Sequence, residues 1–245
     1  MSAIPRTDGS FTGKLAIVTG ASSGIGRAIA LALAASGADL HLVGRSRAAL
    51  EEVAGACAAQ VTSFAVDFED SDETERWAAR VRGTCERVDI LIHSAGMISI
   101  ARMEQARLED LDRQYRVNVR APYAITKAVL PLLRACRGQV VFMNSSAGVH
   151  ARATVGQYAA TKYALAAVAD SLREECNADG IRVLSVYPGR TATPMQAGVH
   201  ETEGKEYTPE RLMQPGDVAS AVLAALRMPP TAEITEIRMR PATKP

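Results

Sequence analysis

Short runs of apolar residues alternate along the chain with longer segments in which apolar positions recur at the spacing of a helix. Runs of this length suit strands that are buried on both faces of a sheet. Repeated strand–helix order predicts an α/β protein with a doubly wound parallel sheet and helices on both faces. We predict about seven strands, at 15–18, 40–43, 61–66, 88–92, 140–143, 181–187 and 234–239, and helices at 26–36, 46–57, 69–83, 108–134, 155–177 and 217–226. Ser46 and Asp217 can cap the second and the last of these helices.

The alternation stops after the sixth strand, where Pro188-Gly189 begins a different kind of segment. Residues 190–214 are polar and irregular, with two prolines and two glycines. A connection of about 25 residues is longer than most in a compact domain, so we expect a mobile substrate lid, with a loop of no function as the alternative. No linker or shift in composition divides the chain, and we predict one domain over 1–245.

Composition narrows the classes of partner. The 245 residues are 47% hydrophobic, which is enough for one full core. The formal net charge of +1 gives no reason to expect nucleic acid or a membrane surface as a partner. Because no cysteine pair has CxxC spacing and no histidine pair has HExxH spacing, we predict reduced cysteines and no metal site.

Residues 1–10 lack the apolar stretch of a secretory signal. The longest apolar run, 28–35, is far shorter than the roughly 20 residues that cross a bilayer. We therefore expect a cytoplasmic protein without a membrane partner.

A glycine-rich turn follows the first strand directly, with the sequence Thr19-Gly20-Ala21-Ser22-Ser23-Gly24-Ile25-Gly26. Gly20 permits a sharp turn, and Gly24 and Gly26 let the backbone approach a pyrophosphate at the start of the next helix. A tight strand–helix connection without a ligand is the alternative. The position between the first strand and the first helix favours a dinucleotide site.

The tip of the second strand bears on which dinucleotide binds. An acidic residue there usually holds the ribose hydroxyl of NAD, and this strand ends in Gly44-Arg45 instead. An arginine can pair with the 2′-phosphate of NADP, although an exposed surface arginine is the alternative. Asp67, after the third strand, can bind the adenine amine or cap the helix that follows.

Tyr158 and Lys162 are four residues apart and share one face of the predicted helix 155–177. A nearby ammonium favours the phenolate and lowers the pKa of a tyrosine from about 10 toward the range useful for proton transfer. A surface pair is the alternative. Ser145 lies at the carboxyl end of the fifth strand, where ligands bind in doubly wound sheets. Asn118 is either a satisfied core amide or a site residue.

Together these residues resemble the short-chain dehydrogenase/reductase family, in its single-domain branch of about 250 residues. The resemblance runs from Lys14 to about Pro241. TGASSGIG, VDF, VNV, PGRTATP and the Ser145, Tyr158 and Lys162 trio occur in the family's order and at its spacings. It implies a Rossmann-type fold and an oxidoreductase that moves a hydride between NADP(H) and a small carbonyl or alcohol; NAD(H) fits less well.

The resemblance also implies roles for single residues. Tyr158 matches the general acid/base, Ser145 the residue that holds the substrate oxygen, and Lys162 the lysine that binds the nicotinamide ribose and depresses the tyrosine pKa. Asn118 matches the asparagine that retains a water for a proton relay, and Asp67 the aspartate on the adenine side. The cofactor-binding residues so implied are Gly20, Ser22, Ser23, Gly24, Ile25, Gly26, Arg45, Asp67, Ser94, Ala95, Gly96, Tyr158, Lys162, Pro188, Gly189, Thr191 and Thr193.

The chain departs from the family's pattern after strand four. The family often has Asn-Asn-Ala-Gly there, and this sequence has His93-Ser94-Ala95-Gly96. Ser94 offers a short hydroxyl in place of an amide, and His93 can serve the sheet or a neighbouring helix. We expect the replacement of Asn-Asn by His93-Ser94 to affect local stability more than activity.

The glycine turn also departs from the pattern of some NADP-using relatives, because neither Ser22 nor Ser23 supplies their extra basic residue. The preference for NADP therefore rests mainly on Arg45, with Arg47 as a second candidate.

Two other functions are compatible with a dinucleotide-binding sheet. Nucleotide-sugar epimerases and dehydratases usually carry GxxGxxG and a larger C-terminal domain, and this chain has neither. A non-catalytic NADP sensor or scaffold would be favoured by loss of Tyr158 or Lys162, and both are present.

Candidates for the substrate pocket are His150, Val155, Met195 and Met213, which suggest a modestly hydrophobic substrate. The ending Ile237-Arg238-Met239-Arg240-Pro241 resembles relatives that act on small hydroxy acids or on carbonyls in general.

The resemblance further implies a homo-oligomer, a tetramer or a dimer, in which the helices 108–134 and 155–177 pair between subunits. We expect Ala159, Ala166 and Ala167 to form an outer face that permits close approach. The alternative is that these alanines pack only against their own sheet.

Overall fold

The computed structural model describes residues 10–243 and contains a seven-stranded sheet. The strands are β1 (Leu15–Thr19), β2 (Asp39–Gly44), β3 (Val61–Ala65), β4 (Ile90–His93), β5 (Gln139–Met143), β6 (Arg182–Pro188) and β7 (Glu236–Met239). Their order is β3-β2-β1-β4-β5-β6-β7, and every neighbouring pair is parallel. The predicted fold class and strand set are confirmed.

In the described part of the chain, eight α-helices connect or follow these strands: α1 (Gly24–Ala35), α2 (Arg47–Gly55), α3 (Ser71–Thr84), α4 (Leu108–Tyr115), α5 (Ala121–Cys136), α6 (Gly156–Cys176), α7 (Pro194–Thr202) and α8 (Pro215–Leu226). The helix predicted at 108–134 is α4 and α5, joined without a break by a π-helical turn at Arg116–Arg120.

Two apolar cores cover the two faces of the sheet. Successive residues of a strand point to opposite faces, and β1 shows this directly: Ala16 and Val18 pack with α1 and α8, whereas Ile17 packs with α3, α5 and α6. All three side chains are fully buried. Burial on both faces explains why the strands are apolar without alternation.

The helix caps differ in part from those predicted. Ser46 caps α2 as expected, accepting the Ala49 N–H at 3.3 Å. Asp70, not Asp67, caps α3, accepting the N–H groups of Asp72 and Glu73, each at 2.9 Å. The helix-cap alternative for Asp67 is therefore wrong.

The N-cap of α8 is also not the residue that was predicted, Asp217. Gln214 is the N-cap, and the Asp217 carboxylate accepts its N–H at 2.8 Å from inside the first turn. Asp217 thus stabilises the helix start as the third helical residue of a capping box does.

The segment 190–214 is not an irregular loop. It holds α7, which begins where the Thr193 hydroxyl accepts the Gln196 N–H at 3.2 Å, with Pro194 in the first helical turn. A threonine cap followed by proline is a helix-start signal, and it outweighs the glycines of the segment. The two ends of the segment are joined by a bridge between Thr191 and Met213.

Within residues 10–243, no helix has both the length and the apolar character needed to cross a membrane. The segment 1–10, predicted to lack a secretory signal, lies outside the described residues apart from Ser10. All four cysteines are free.

Candidate active site

A cavity of about 580 Å³ lies at the carboxyl ends of the strands. The strand order reverses direction between β1 and β4, which is where open parallel sheets form a crevice for ligands. Every residue of the cofactor-binding set implied by the resemblance lines this cavity, whereas Arg47, the second candidate for the NADP preference, does not. Of the four predicted catalytic residues, Ser145, Tyr158 and Lys162 line it and Asn118 does not.

The glycine turn leaves room for a ligand because side chains are excluded from it. Gly20 has a φ of 65°, and a Cβ there would lie 2.7 Å from the Ala95 nitrogen. A Cβ on Gly26 would collide with the Gly20 carbonyl oxygen. The turn therefore brings bare backbone and the N-terminus of α1 to the cavity, which fits a pyrophosphate.

Thr19 braces this turn, a role that the sequence pattern does not indicate. Its buried hydroxyl donates to the Ile92 carbonyl at 3.2 Å and accepts the N–H groups of Ser94 and Ala95 at 3.1 and 3.2 Å. These bonds hold the ends of β1 and β4 together. A single threonine at a strand end carries no pattern by which its role could be predicted.

Arg45 and Asp67 lie at the end of the cavity next to β2 and β3, together with Glu69. The Arg45 guanidinium is 3.8 Å from the Glu69 carboxylate, which also accepts two bonds from Arg113, at 2.7 and 3.1 Å. The hydrogen bond from Arg113 is the main reason that the pKa of Glu69 is lowered. Glu69 is thus a carboxylate between two arginines, a feature that sequence spacing does not reveal.

His93 serves both the sheet and a helix, as the sequence allowed. Its ring is buried, stacks on Phe142 of β5 at 4.9 Å, and its Nε2 lies 2.7 Å from the Thr126 hydroxyl of α5. Its Nδ1 has no hydrogen-bond partner among the described residues. Burial lowers the pKa of His93 to about 3, so the ring is neutral.

Ser145 caps the short 3₁₀ turn Ser146–Gly148, and its hydroxyl accepts the Ala147 N–H at 3.1 Å. That contact leaves the hydroxyl proton available for another acceptor. Tyr158 reaches the same part of the cavity from the first turns of α6. Burial raises the pKa of the Tyr158 phenol above its ordinary value, and a side-chain hydrogen bond with Ser145 opposes this shift.

Lys162 is buried beside Tyr158. Its Nζ donates to the Met143 carbonyl at 2.9 Å and lies 5.7 Å from the centre of the Tyr158 ring. Burial lowers the pKa of Lys162 to about 8. The expected lowering of the tyrosine pKa is wrong for this structure, because burial has the largest effect and the ammonium faces the ring and a carbonyl.

Asn118 lies in the π-helical turn and is fully buried. Its amide oxygen accepts the Met97 N–H at 2.9 Å, and its amide nitrogen donates to the Met97 carbonyl at 2.9 Å and to the Thr161 hydroxyl at 3.0 Å. These contacts match a satisfied core amide. Thr161, which sequence reasoning missed, donates in turn to the Tyr158 carbonyl at 2.7 Å and so connects Asn118 to α6.

Asn144 is a second residue missed from the sequence. It lines the cavity, its side-chain oxygen accepts the Ser145 N–H at 3.0 Å, and it is buried. Its Nδ2 is a buried donor without a partner among the described residues. An unpaired buried donor costs free energy of folding. The part of the cavity at Asn144 therefore fits a ligand group that accepts a hydrogen bond.

The remaining part of the cavity joins the segments before α6 and around α7. His150, Val155 and Met195 line it as predicted. Met213 does not; it is buried in the core that contains α1 and α8. Four charged residues that were not predicted also line this part: Arg152, Arg190, Glu203 and Lys205.

Known proteins resemble this chain over most of its length. The family model for short chain dehydrogenases matches residues 14–204. An uncharacterized oxidoreductase of Staphylococcus epidermidis is 32% identical over 229 residues, which are 93% of this chain and 97% of that protein.

Solved structures share the fold. An alcohol dehydrogenase of the archaeon Thermococcus sibiricus, in complex with 5-hydroxy-NADP, superposes with a TM-score of 0.85 at 28% identity, covering 95% of this chain and 98% of that one. A protein of Shigella flexneri whose crystal structure holds NADP has a TM-score of 0.85 at 30% identity, covering 95% and 99%.

Proposed function

The chain belongs to the short-chain dehydrogenase/reductase family and is an oxidoreductase of that type; we propose that it transfers a hydride between NADP(H) and a small carbonyl or alcohol, with Tyr158 as the general acid/base. The observation that carries the proposal is that Ser145, Tyr158 and Lys162 line the same cavity as the glycine turn. The complexes of relatives with NADP or its 5-hydroxy derivative support the choice of cofactor.

The residues that would hold the cofactor span the cavity. The backbone of the glycine turn would bind the pyrophosphate, Arg45 the 2′-phosphate and Asp67 the adenine. Lys162 and the residues from Pro188 to Thr193 would contact the nicotinamide riboside. The nicotinamide supplies or accepts the hydride when it is bound.

The protein's own part in reduction is to orient the substrate and to move a proton. The Ser145 hydroxyl would donate to the substrate oxygen, which gains negative charge during the reaction. Tyr158 would give its phenolic proton to the same oxygen. A raised pKa keeps this phenol protonated at neutral pH, which suits donation.

The chemical role of Tyr158 is tested by Tyr158→Phe. We expect kcat for NADPH-dependent reduction of an aldehyde and ketone panel to fall by at least about 10²-fold, because a lost acid/base costs that much. Fluorescence titration with NADPH should show nearly unchanged affinity. A variant that keeps more than about a tenth of wild-type kcat would remove Tyr158 from this role.

Tyr163→Phe is the matched control on the same helix. The Tyr163 hydroxyl is exposed and donates to the Val149 carbonyl at 2.6 Å, so the substitution removes the same atom outside the cavity. We expect its kcat to equal that of the wild type.

A further inference from the structure

Positive charge is in excess at the part of the cavity next to Tyr158. Arg152, Arg190 and Lys205 line this part, against a single carboxylate, Glu203, among the described lining residues there. The other carboxylates that line the cavity, Asp67 and Glu69, are at the end beside Arg45.

Glu203 cannot neutralise both of its partners. Its carboxylate accepts two bonds from Arg190, at 3.0 and 2.8 Å, and a third from the Lys205 ammonium at 2.8 Å. The two cations share one negative charge, so one positive charge remains. Lys205 is the more exposed of the two, with 58% of its side chain accessible against 27% for Arg190. The Lys205 ammonium, which has further N–H groups besides the one it donates to Glu203, is thus the more accessible of the two to an incoming anion.

Arg152 adds a second available cation from a separate segment, between the turn at Ser146–Gly148 and α6. It makes no ion pair or side-chain hydrogen bond with any residue in the range 10–243, and it lines the cavity. A guanidinium is well matched to a carboxylate, which it can bind through two parallel N–H groups.

Apolar side chains line the same cavity as these cations. Ile98, Ile100, Met195 and Val199 line the cavity along with them. This combination suits a molecule that has an aliphatic part and one anionic group.

Building on the hydride transfer proposed above, we propose that the substrate is an aliphatic oxo acid or the matching hydroxy acid. Arg152 and Lys205 bind its carboxylate, the apolar side chains contact its carbon chain, and its carbonyl oxygen meets Ser145 and Tyr158. The two cations thereby select acids over neutral ketones.

The test compares oxo acids of increasing length with their methyl esters, which keep the ketone and lose the charge. We expect kcat/KM with NADPH to favour the best acid over its ester by roughly tenfold or more, the size of a charge-assisted hydrogen bond. In Arg152→Gln and Lys205→Gln, KM for the acid should rise by roughly tenfold, while kcat and the constants for the ester stay unchanged.

Arg82→Gln is the control, since Arg82 is an exposed arginine on α3 that does not line the cavity. It should leave the ratio of acid to ester unchanged. Equal turnover of acids and esters, with no effect of either cavity variant, would overturn the proposed substrate class. The proposed hydride transfer would stand in that case, because the esters are still reduced.

If no carbonyl compound is reduced, the proposed anion site can still be tested separately from the proposed hydride transfer. The test is titration calorimetry with aliphatic carboxylic acids of the same lengths that have no oxo or hydroxyl group. These acids lack the reacting group and report only on the anion site. Binding that the two cavity variants lose would support the site even though hydride transfer had failed. Absence of binding to the wild-type protein would overturn it.

Discussion

At the scale of single residues, the selection of the cofactor depends on Arg45 and on the carboxylate that lies near it. Glu69 is 3.8 Å from Arg45 and is held by two hydrogen bonds from Arg113. A ribose 2′-phosphate at Arg45 would meet the nearby negative charge of Glu69. The carboxylate therefore opposes the phosphate that the arginine attracts.

We predict that Glu69→Gln tightens NADPH by up to about fivefold, the range of an exposed ion pair, and leaves NADH binding unchanged. Arg45→Ala should weaken NADPH by about tenfold and again leave NADH unchanged. Fluorescence titration measures both affinities. Glu51→Gln, on the exposed face of α2, is the control. Equal effects on NADPH and NADH would show that neither residue contacts the phosphate.

At the scale of secondary-structure elements, the end of β4 contains an acid-sensitive group. His93 is neutral when folded, because burial lowers its pKa from the ordinary 6.5 to about 3. Between these two values the unfolded chain binds a proton that the folded chain does not. Stability contributed by this group is thus complete above pH 6.5 and is lost as the pH falls toward 3.

We predict that His93→Asn makes the acid loss of stability shallower, by up to about 1.4 kcal/mol per pH unit. The free energy of unfolding in urea, measured at several values between about pH 4 and 6, gives this slope. The smaller asparagine also lowers stability at every pH, so the slope and not the level is the readout. The exposed His150, replaced by Asn, is the control. An unchanged slope in His93→Asn would contradict a neutral buried ring.

The elements also show what the sequence could and could not predict. The strands and the glycine turn were predicted because their signals are local: continuous apolar runs, and glycines where no side chain fits. The helix α7 was missed because glycines and a proline were given more weight than the Thr193 cap. Thr19 and Thr161 act through partners distant in sequence, and no spacing indicates such contacts. Asn144 contacts its neighbour Ser145, and only the burial of its unpaired Nδ2 in the fold marks it as a site residue.

At the scale of the whole molecule, apolar side chains are exposed along the joined helices α4 and α5. Leu108, Tyr115 and Tyr123 are 73%, 50% and 57% exposed. They are spaced by seven and eight residues, and the wider step crosses the π-helical turn, which adds a residue to the helix. The three side chains therefore follow one stripe, and stripes of this kind mark contact surfaces.

The second helix expected at a subunit interface, α6, has a different outer face from the one predicted. Ala159 is 1% exposed and packs inside the subunit, so its place on that face was wrong. Ala167 is exposed and Ala166 is partly exposed. Tyr163, one turn earlier in the helix, is 47% exposed. The face available for pairing thus contains an aromatic side chain as well as small ones.

We predict that the protein is a homo-oligomer, a dimer or a tetramer, that pairs through this stripe and the outer face of α6. Light scattering at micromolar concentration should give a mass of at least twice the 26.0 kDa of one chain. Tyr115→Lys combined with Tyr123→Lys should shift the mass toward one chain, because two unpaired ammonium groups would be buried. Met103→Lys is the control: Met103 is 91% exposed and lies outside the stripe, so its substitution should leave the mass unchanged. A wild-type mass of one chain would mean that these tyrosines face solvent and that the cavity is complete within a single subunit.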